Sequence, residues 1–159
     1  MNISNTFFDR LLKNQFNEDE QLDIVSRDPC LVIHMFNATT KVQEQAIIKE
    51  PNTIRYISDQ SEYIKMFAIK QGCLLKYIKE PDFNMEIEAI MINPINIIYI
   101  DDPDTSLLDL AITCDACSII EKSLETNNCE KSKATLKALD DRQYYLLKED
   151  RNDKNCTIS

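Results

Sequence analysis

The chain has 159 residues but only one glycine, one histidine and no tryptophan. A single glycine excludes the glycine-rich loops that cradle phosphate groups, because those loops need several glycines at fixed spacing. With one histidine, any Ser/His or Cys/His catalysis would rest wholly on His34, which we interpret as a structural residue. Paired carboxylates are present, but nothing in the sequence indicates the cleft that acid–base catalysis needs. We therefore expect no enzyme, no cofactor and no metal.

Long apolar runs are also lacking. No stretch reaches the roughly 18 apolar residues that a membrane-spanning helix needs. The first residues, MNISNTFFDRLL, do not have the basic-then-apolar layout of a secretory signal. We expect a soluble, cytoplasmic protein that does not bind a membrane.

The chain does contain an internal repeat. Three segments share Pro or Gly at the fifth residue, Ile or Leu at the eighth and Tyr-Ile at the close: residues 47–57, 68–78 and 90–100. Their bend residues are 21 and 22 positions apart: Pro51, Gly72 and Pro94. A fixed period of this length is typical of stacked helical units that cannot bury a core alone. Looser copies around Pro29 and Ala116 extend the repeat to about five units.

Each unit is predicted to form two short helices. Ser61 can cap the first helix of its unit, and Gly72 can end that helix by adopting a positive φ. Prolines take the place of Gly72 in the other units, where Asp28 and Asn93 precede them as good N-cap residues. A strand is the alternative for the isoleucine-rich stretch INIIYI, but the fixed period favours helices.

These residues resemble a family of short helical-hairpin repeats, about 22 residues long, that is catalogued as a domain of unknown function. The motif A-I-x-x-x-P/G-x-x-I-x-Y-I-x-x-P-D is carried by AIKQGCLLKYIKEPD (residues 68–82) and AIMINPINIIYIDDPD (residues 89–104). The resemblance covers about two-thirds of the chain, and it implies a helical array without catalytic residues.

The predicted fold is all-α: a right-handed, α-solenoid-like stack of about five short helical hairpins with N- and C-terminal capping helices. The predicted parts are an N-terminal capping helix (1–20), the hairpin repeats (21–124), a C-terminal capping helix (125–150) and a mobile tail (151–159). The acidic run at residues 17–20 is interpreted as the link into the first repeat.

Charge is distributed unevenly. The net charge is −9, and residues 80–121 hold ten Asp and Glu but no Lys or Arg. Such a field repels nucleic acid and attracts basic surfaces. We expect eight of these acids to bind a partner: Glu80, Asp82, Glu86, Glu88, Asp101, Asp102, Asp104 and Asp109. Two alternatives stay open, namely a merely solvated face and a divalent-cation site, although the spacing does not match a calcium-binding loop.

The function that fits best is a non-enzymatic protein–protein interaction module whose acidic surface binds a protein with a basic surface. The alternative is a small acidic inhibitor, of viral or phage type and acting against host defence, that blocks the basic nucleic-acid-binding surface of another protein. Neither hypothesis involves direct binding of nucleic acid to this chain.

Six cysteines complete the candidates. Cys114 and Cys117 form a C-x-x-C, but a second such pair for a four-cysteine zinc site is lacking. Cys30, Cys73 and Cys117 each follow a bend position by one residue, which favours small buried thiols over zinc or disulfides. Cys156 begins a loose prenylation pattern at the C-terminus, and prenylation there is a minor alternative.

Overall fold

A computed structural model describes residues 7, 9–11, 13–116, 134–144 and 146. The chain divides into two compact units, Met1–Pro81 and Asp82–Ser159. Within the described residues all regular structure is α-helix or 3₁₀ helix, and there is no strand. The all-α prediction is confirmed for this part of the chain. The stretch INIIYI, for which a strand was the alternative, lies mostly in a 3₁₀ helix.

Short α-helices alternate with shorter 3₁₀ helices along the chain. The first unit contains α1 (Glu18–Arg27), η1 (Pro29–His34), α2 (Thr40–Lys49), η2 (Pro51–Tyr56), α3 (Glu62–Lys70) and η3 (Leu75–Tyr77). The second unit contains α4 (Phe83–Ile92), η4 (Pro94–Tyr99), α5 (Thr105–Thr113) and α6, which covers residues 134–144. The first unit also has helical residues at 7 and 9–11.

The N-cap residues of α1 to α5 set the period. They are 22, 22, 21 and 22 residues apart: Asn17, Thr39, Ser61, Asp82 and Asp104. All except Thr39 accept a side-chain hydrogen bond from a backbone N–H in the first turn. Asn17 and Glu20 form a complete capping box. The acidic run at residues 17–20 therefore begins a helix, and its interpretation as a link was wrong.

Prolines begin three of the four 3₁₀ helices in the described residues. A single extended residue, with φ between −139° and −148°, ends each preceding α-helix: Asp28, Glu50 or Asn93. Proline suits the next position because its fixed φ is compatible with a helix start and because no donor is needed there. The side chains of Asp28 and Asn93 also accept hydrogen bonds from the backbone, as their predicted N-cap role requires.

The bend at Gly72 has a different backbone. Gly72 has φ +87° and donates to the carbonyl of Ile69 at 2.8 Å, while Cys73 donates to Ala68 at 3.1 Å. These are the bonds of a helix that ends on a left-handed glycine. The following 3₁₀ helix has three residues instead of six. Pro51 and Pro94 thus occupy equivalent bends, whereas Gly72 turns the chain at the same junction in another way.

The shorter bend shifts the alignment inside the helix. The sequence comparison paired Ala68 with Ile47 and Ile90, but counting from the N-caps pairs it with Ala46 and Ala89. All three alanines have no exposed surface. The sequence alignment is therefore correct at the bend and at the final Tyr-Ile of the repeat. Within the α-helix of this repeat it is shifted by one residue.

Buried side chains recur at equivalent positions and form the core of each unit. The residue after each buried alanine is also fully buried: Ile47, Ile69 and Ile90. The residue that closes each repeat is buried as well: Met35, Ile57, Ile78 and Ile100. In the first unit α1 packs on α2 and α2 on α3, and in the second unit α4 packs on α5.

Gln60 links two repeats of the first unit through hydrogen bonds. Its side-chain amide donates to the carbonyls of Ile54 and Tyr77, both at 3.0 Å, and accepts from the N–H of Lys79 at 2.8 Å. Because Gln60 is buried, these bonds satisfy groups that would be costly to leave unpaired. The 3₁₀ helices η2 and η3 are thereby held together.

Several expectations lie outside the described residues. They concern Cys117, Cys156, the tail at 151–159 and parts of both predicted capping helices. In the part of the chain that is described, no helix is both long enough and apolar enough to cross a bilayer.

Candidate functional site

The eight acids predicted to bind a partner fall in both compact units. Glu80 lies in the first unit, where it is exposed at φ +48° and its carbonyl accepts from Lys65 Nζ at 3.4 Å. The other seven lie in the second unit: Asp82, Glu86, Glu88, Asp101, Asp102, Asp104 and Asp109.

Two of these acids cap helices. The carboxylate of Asp82 accepts from the N–H of Met85 at 2.8 Å at the start of α4, and Asp104 accepts from Leu107 at 3.0 Å at the start of α5. The bond from Leu107 and a second from the Ser106 hydroxyl hold the pKa of Asp104 below its ordinary value. Both residues are exposed while they cap, so both are accessible to a partner.

Asp109 joins two helices of the second unit. Arg142 of α6 donates to its two carboxylate oxygens at 2.6 and 2.8 Å, which is a bidentate ion pair. The hydrogen bond from Arg142 lowers the pKa of Asp109. The pair is 33 residues apart in sequence and fixes α5 against α6. Asp109 therefore has a structural role.

Glu86 differs from Asp104 and Asp109 in that its pKa is raised. It lies half-buried on α4, and burial raises its pKa. The negative charges of Asp104 and Asp82 raise the pKa further. The structure thus brings three of the predicted acids together. Their mutual repulsion raises the pKa of Glu86, which is the least exposed of the three.

The position of Glu86 in the repeat makes it exceptional. Position four after the N-cap is occupied in successive repeats by Gln21, Gln43, Lys65, Glu86 and Leu108. The two glutamines donate to the carbonyls of Phe16 and Ala38, each at 3.1 Å. Lys65 donates to Glu62 at 2.9 Å. Glu86 places a carboxylate where the preceding repeats have a donor.

The remaining acids of the second unit are on its surface. Asp101 and Asp102 are exposed in the turn before Pro103, and Asp102 has φ +55°. These residues edge an apolar cavity of about 230 Å³ between this turn and α6. Glu88 is half-exposed on α4.

Apolar side chains lie exposed on the same helix as Glu86 and Glu88. Phe83 is 47% exposed, Met91 58% and Ile92 41%. Phe83 and Met91 are eight residues apart, so they lie on one side of α4. Sequence reasoning missed these residues, although α4 is apolar around most of its circumference and its sequence, FNMEIEAIMI, signals that a simple amphipathic face is lacking.

Other candidate groups show no joint site. Cys30, Cys73 and Cys114 are free thiols, and burial raises the pKa of Cys73 to about 12, which keeps it protonated. His34 is half-buried at the end of η1. Across the described residues, no three His, Cys, Asp or Glu side chains are grouped so that they could hold a metal ion.

Comparison with known proteins gives no match to a family model, to a curated protein or to a solved structure. The resemblance to the helical-hairpin repeats therefore rests on the repeat motif of this chain alone.

Proposed function

We propose that this protein is a non-enzymatic protein–protein interaction module that binds a basic partner through the acidic surface of its second unit. The observation that carries the proposal is the placement of Glu86. A half-buried carboxylate beside Asp82 and Asp104 is unfavourable for folding, because burial and repulsion both act against its charge. Residues that oppose local stability are often functional.

A cation from a partner would remove this cost. At the equivalent position of the preceding repeat, Lys65 supplies a positive charge next to Glu62. A lysine or arginine of a partner can approach Glu86, Asp82 and Asp104 from solvent and neutralise the three carboxylates together. Arginine suits such a site best, since its planar fork binds carboxylates in a bidentate way.

The exposed apolar residues of α4 support the same surface. Interfaces usually combine an apolar centre with a polar rim. Phe83, Met91 and Ile92 supply apolar area, and Glu86 and Glu88 supply the charge beside it. The partner segment that fits is therefore amphipathic and basic.

The proposal includes the architecture. An α-solenoid-like stack of about five hairpins presents an extended surface of the kind that repeat proteins use for binding. The constant spacing of the N-caps and the recurrence of buried residues at equivalent positions support this arrangement.

A narrower version makes the protein an inhibitor that covers the nucleic-acid-binding surface of its partner. The charge distribution favours it, since residues 80–121 carry ten acids and no Lys or Arg. In this version double-stranded DNA or RNA displaces the protein from its partner. A partner that binds both at once would contradict the inhibitor version and leave the broader proposal intact.

The test compares two variants with equal numbers of changes. One is Glu86→Gln, Glu88→Gln and Met91→Ser in the second unit. The control removes the same charge and one exposed apolar side chain from the first unit, by Asp9→Asn, Asp19→Asn and Ile48→Ser; all three control residues are exposed.

Each protein is immobilised, exposed to extract of the source cells, and its ligands are identified by mass spectrometry. We expect the wild type and the control to retain basic proteins in a salt-sensitive way, and the second-unit variant to lose them about tenfold. Retention of the same proteins by all three would overturn the proposal.

A further inference from the structure

We infer that the partner binds the second unit through a basic amphipathic α-helix, which packs along an apolar ridge on α4 and places cations on both sides of that ridge. The ridge consists of Phe83, Ile87 and Met91. This assignment rests on the function proposed above and specifies the conformation of the bound segment, which that proposal leaves open.

The apolar ridge is particular to α4. Residues one, five and nine positions after an N-cap are four apart, so they lie on one side of each α-helix. Phe83 is 47% exposed, Met91 58%, and Ile87 between them is partly exposed. At least two of these three positions are polar in α1, α2, α3 and α5: Glu18 and Ser26, Thr40 and Glu44, Glu62 and Lys70, and Thr105, Asp109 and Thr113. The repeat therefore folds without apolar residues there, and the ridge of α4 points to a contact outside the fold.

Two carboxylates flank the middle of the ridge. Successive residues of an α-helix turn by about 100°, so Glu86 and Glu88 lie about 100° to either side of Ile87. In the described part of the chain, neither carboxylate takes part in a hydrogen bond or an ion pair. Asp82 adds a negative charge at the start of the helix, and residues 80–121 contain no Lys or Arg. The complement of this surface is an apolar stripe with cations on both of its sides.

A helix fits the ridge better than an extended segment. The backbone groups in the middle of α4 are bonded within the helix, so α4 offers no edge to which a strand could be added. Phe83 and Met91 are about 12 Å apart along the axis, which is about two turns of a helix. A ridge of residues spaced by four packs into the matching groove of a second helix, at a crossing angle near −50°.

The chain already contains such a contact on the next repeat. The position that holds Ile87 in α4 holds Asp109 in α5. Arg142 of α6 binds that carboxylate at 2.6 and 2.8 Å, so a helix with a basic side chain contacts the equivalent position of α5. Because α4 packs on α5, a partner helix on the ridge would extend to α4 the kind of contact that α6 makes on α5.

A second copy of this chain is the alternative occupant, since two identical ridges could pack on each other. That arrangement would bring Glu86 and Glu88 of both copies together, and like charges that face each other across an interface are unfavourable. A basic helix meets no such repulsion. Dimerisation is accordingly an outcome of the test.

The probe is a labelled synthetic peptide of about sixteen residues, enough for about four helical turns. It has leucine at every fourth position, arginine on both sides of the leucines and alanine elsewhere, and a hydrocarbon staple on the alanine side locks the helix. One reference peptide has two helix-breaking prolines on that side in place of the staple. A second reference peptide has glutamate in place of every arginine.

Binding of each peptide to the full chain is measured by fluorescence anisotropy at low and high salt. We expect the stapled peptide to bind at least about tenfold more tightly than the proline peptide, because its helix is already formed. The glutamate peptide should not bind, and high salt should weaken the stapled one.

A first pair of variants tests the ridge. Phe83→Ser with Met91→Ser removes its two most exposed side chains and should weaken the stapled peptide about tenfold. The control, Ile48→Ser with Tyr63→Ser, removes two apolar side chains of the first unit that are 54% and 57% exposed. It should change the affinity by less than about twofold.

A second pair tests the flanking charges. Glu86→Gln with Glu88→Gln should weaken the stapled peptide about tenfold and reduce its salt dependence. The control, Asp9→Asn with Asp19→Asn, removes the same charge from exposed residues of the first unit. Far-UV circular dichroism of all four variants confirms that they are folded, and the peptide comparison on the wild type does not depend on them.

Equal affinity of the stapled and proline peptides would overturn the assignment of a helix, and so would a stapled peptide that does not bind. Controls that weaken binding as much as their variants, or a dimer of the free protein that the ridge variant abolishes, would also overturn it. In each case the capture experiment judges the proposed function separately, since basic proteins retained there would leave that proposal intact. Capture of no basic protein would overturn the proposed function and, with it, the partner helix.

Discussion

Lys65 and Glu86 occupy the same position of consecutive repeats, one in each compact unit, and their surroundings differ. Lys65 is 8% exposed and has a carboxylate partner, Glu62, at 2.9 Å. Glu86 is half-buried beside two further carboxylates. The apolar residues around both positions are the same in kind. The repeat therefore holds its buried side chains constant and varies the charge at its surface, which is how one scaffold can present different binding faces.

The largest expected effect tests whether the two units share their core position. Ile69 and Ile90 are equivalent and have no exposed surface. Replacing either with alanine should cost about 3 kcal/mol, since each leaves a cavity. Urea unfolding followed by circular dichroism measures the free energy of unfolding. The controls are Met91, which follows Ile90, and Ile48, at the equivalent position of α2; both are exposed, and Ile48→Ala or Met91→Ala should cost less than about 1 kcal/mol. Equal costs at Ile90 and Met91 would refute the shared core.

The next effect tests the difference between the bends. Gly72 has φ +87°, and a Cβ built there would meet no atom within 4 Å. Gly72→Ala should therefore destabilise by about 1 kcal/mol through backbone strain alone. The neighbouring Gln71 has φ −84°, so Gln71→Ala should have little effect on the free energy of unfolding, measured for both variants by the same urea unfolding. A stabilising Gly72→Ala would show that this bend does not need a left-handed residue.

Asp109 gives a smaller, pH-dependent effect in the second unit. Its ion pair with Arg142 lowers its pKa, but its side chain is 38% exposed, so solvent screens part of the interaction. Asp109→Asn should cost at most about 1 kcal/mol at neutral pH. Because the folded pKa is depressed, this contribution is present above the unfolded value, near 4, and is lost as pH falls through the folded value. A stability difference that does not shrink as the pH falls would contradict the assignment.

Glu86 should give the smallest effect, in the opposite direction. Its folded pKa is raised, so its contribution to stability is most favourable below the unfolded pKa and declines as pH rises through the folded value. Glu86→Gln, which restores the residue found at positions 21 and 43, should stabilise by about 0.5 kcal/mol at neutral pH after screening by solvent. The gain should vanish near pH 4. Glu88→Gln is the control, and the same gain there would argue against a special environment for Glu86.

Much of the fold follows from local sequence signals. The period, the N-cap at Ser61 and the cap residues before Pro29 and Pro94 were predicted because each depends on residues within a few positions of it. The 3₁₀ character of the second helices was not predicted, since the apolar run of residues 95–100 fits a strand, a helix or a 3₁₀ turn equally well in isolation. The shortened bend at Gly72 was also missed. A glycine allows a positive φ, but it does not determine how many residues the turn contains.

The candidate site was predicted less completely. Composition located the acids, but the pairing of Asp109 with Arg142 joins residues 33 positions apart, and no local pattern signals it. The half-burial of Glu86 depends on how α4 packs on α5. Its exceptional character could have been noticed by aligning the repeats on their N-caps, which places it opposite Gln43 and Lys65.

The measurement that tests the central claim most directly is the titration of the Glu86 carboxyl by carbon-detected NMR, with and without a basic amphipathic peptide. In the free protein the pKa of Glu86 should lie above the ordinary value for a glutamate, because burial and the charges of Asp104 and Asp82 raise it. With the peptide bound, its pKa should fall, since a cation then lies next to it. An ordinary pKa in the free protein, or a pKa that the peptide leaves unchanged, would contradict the account.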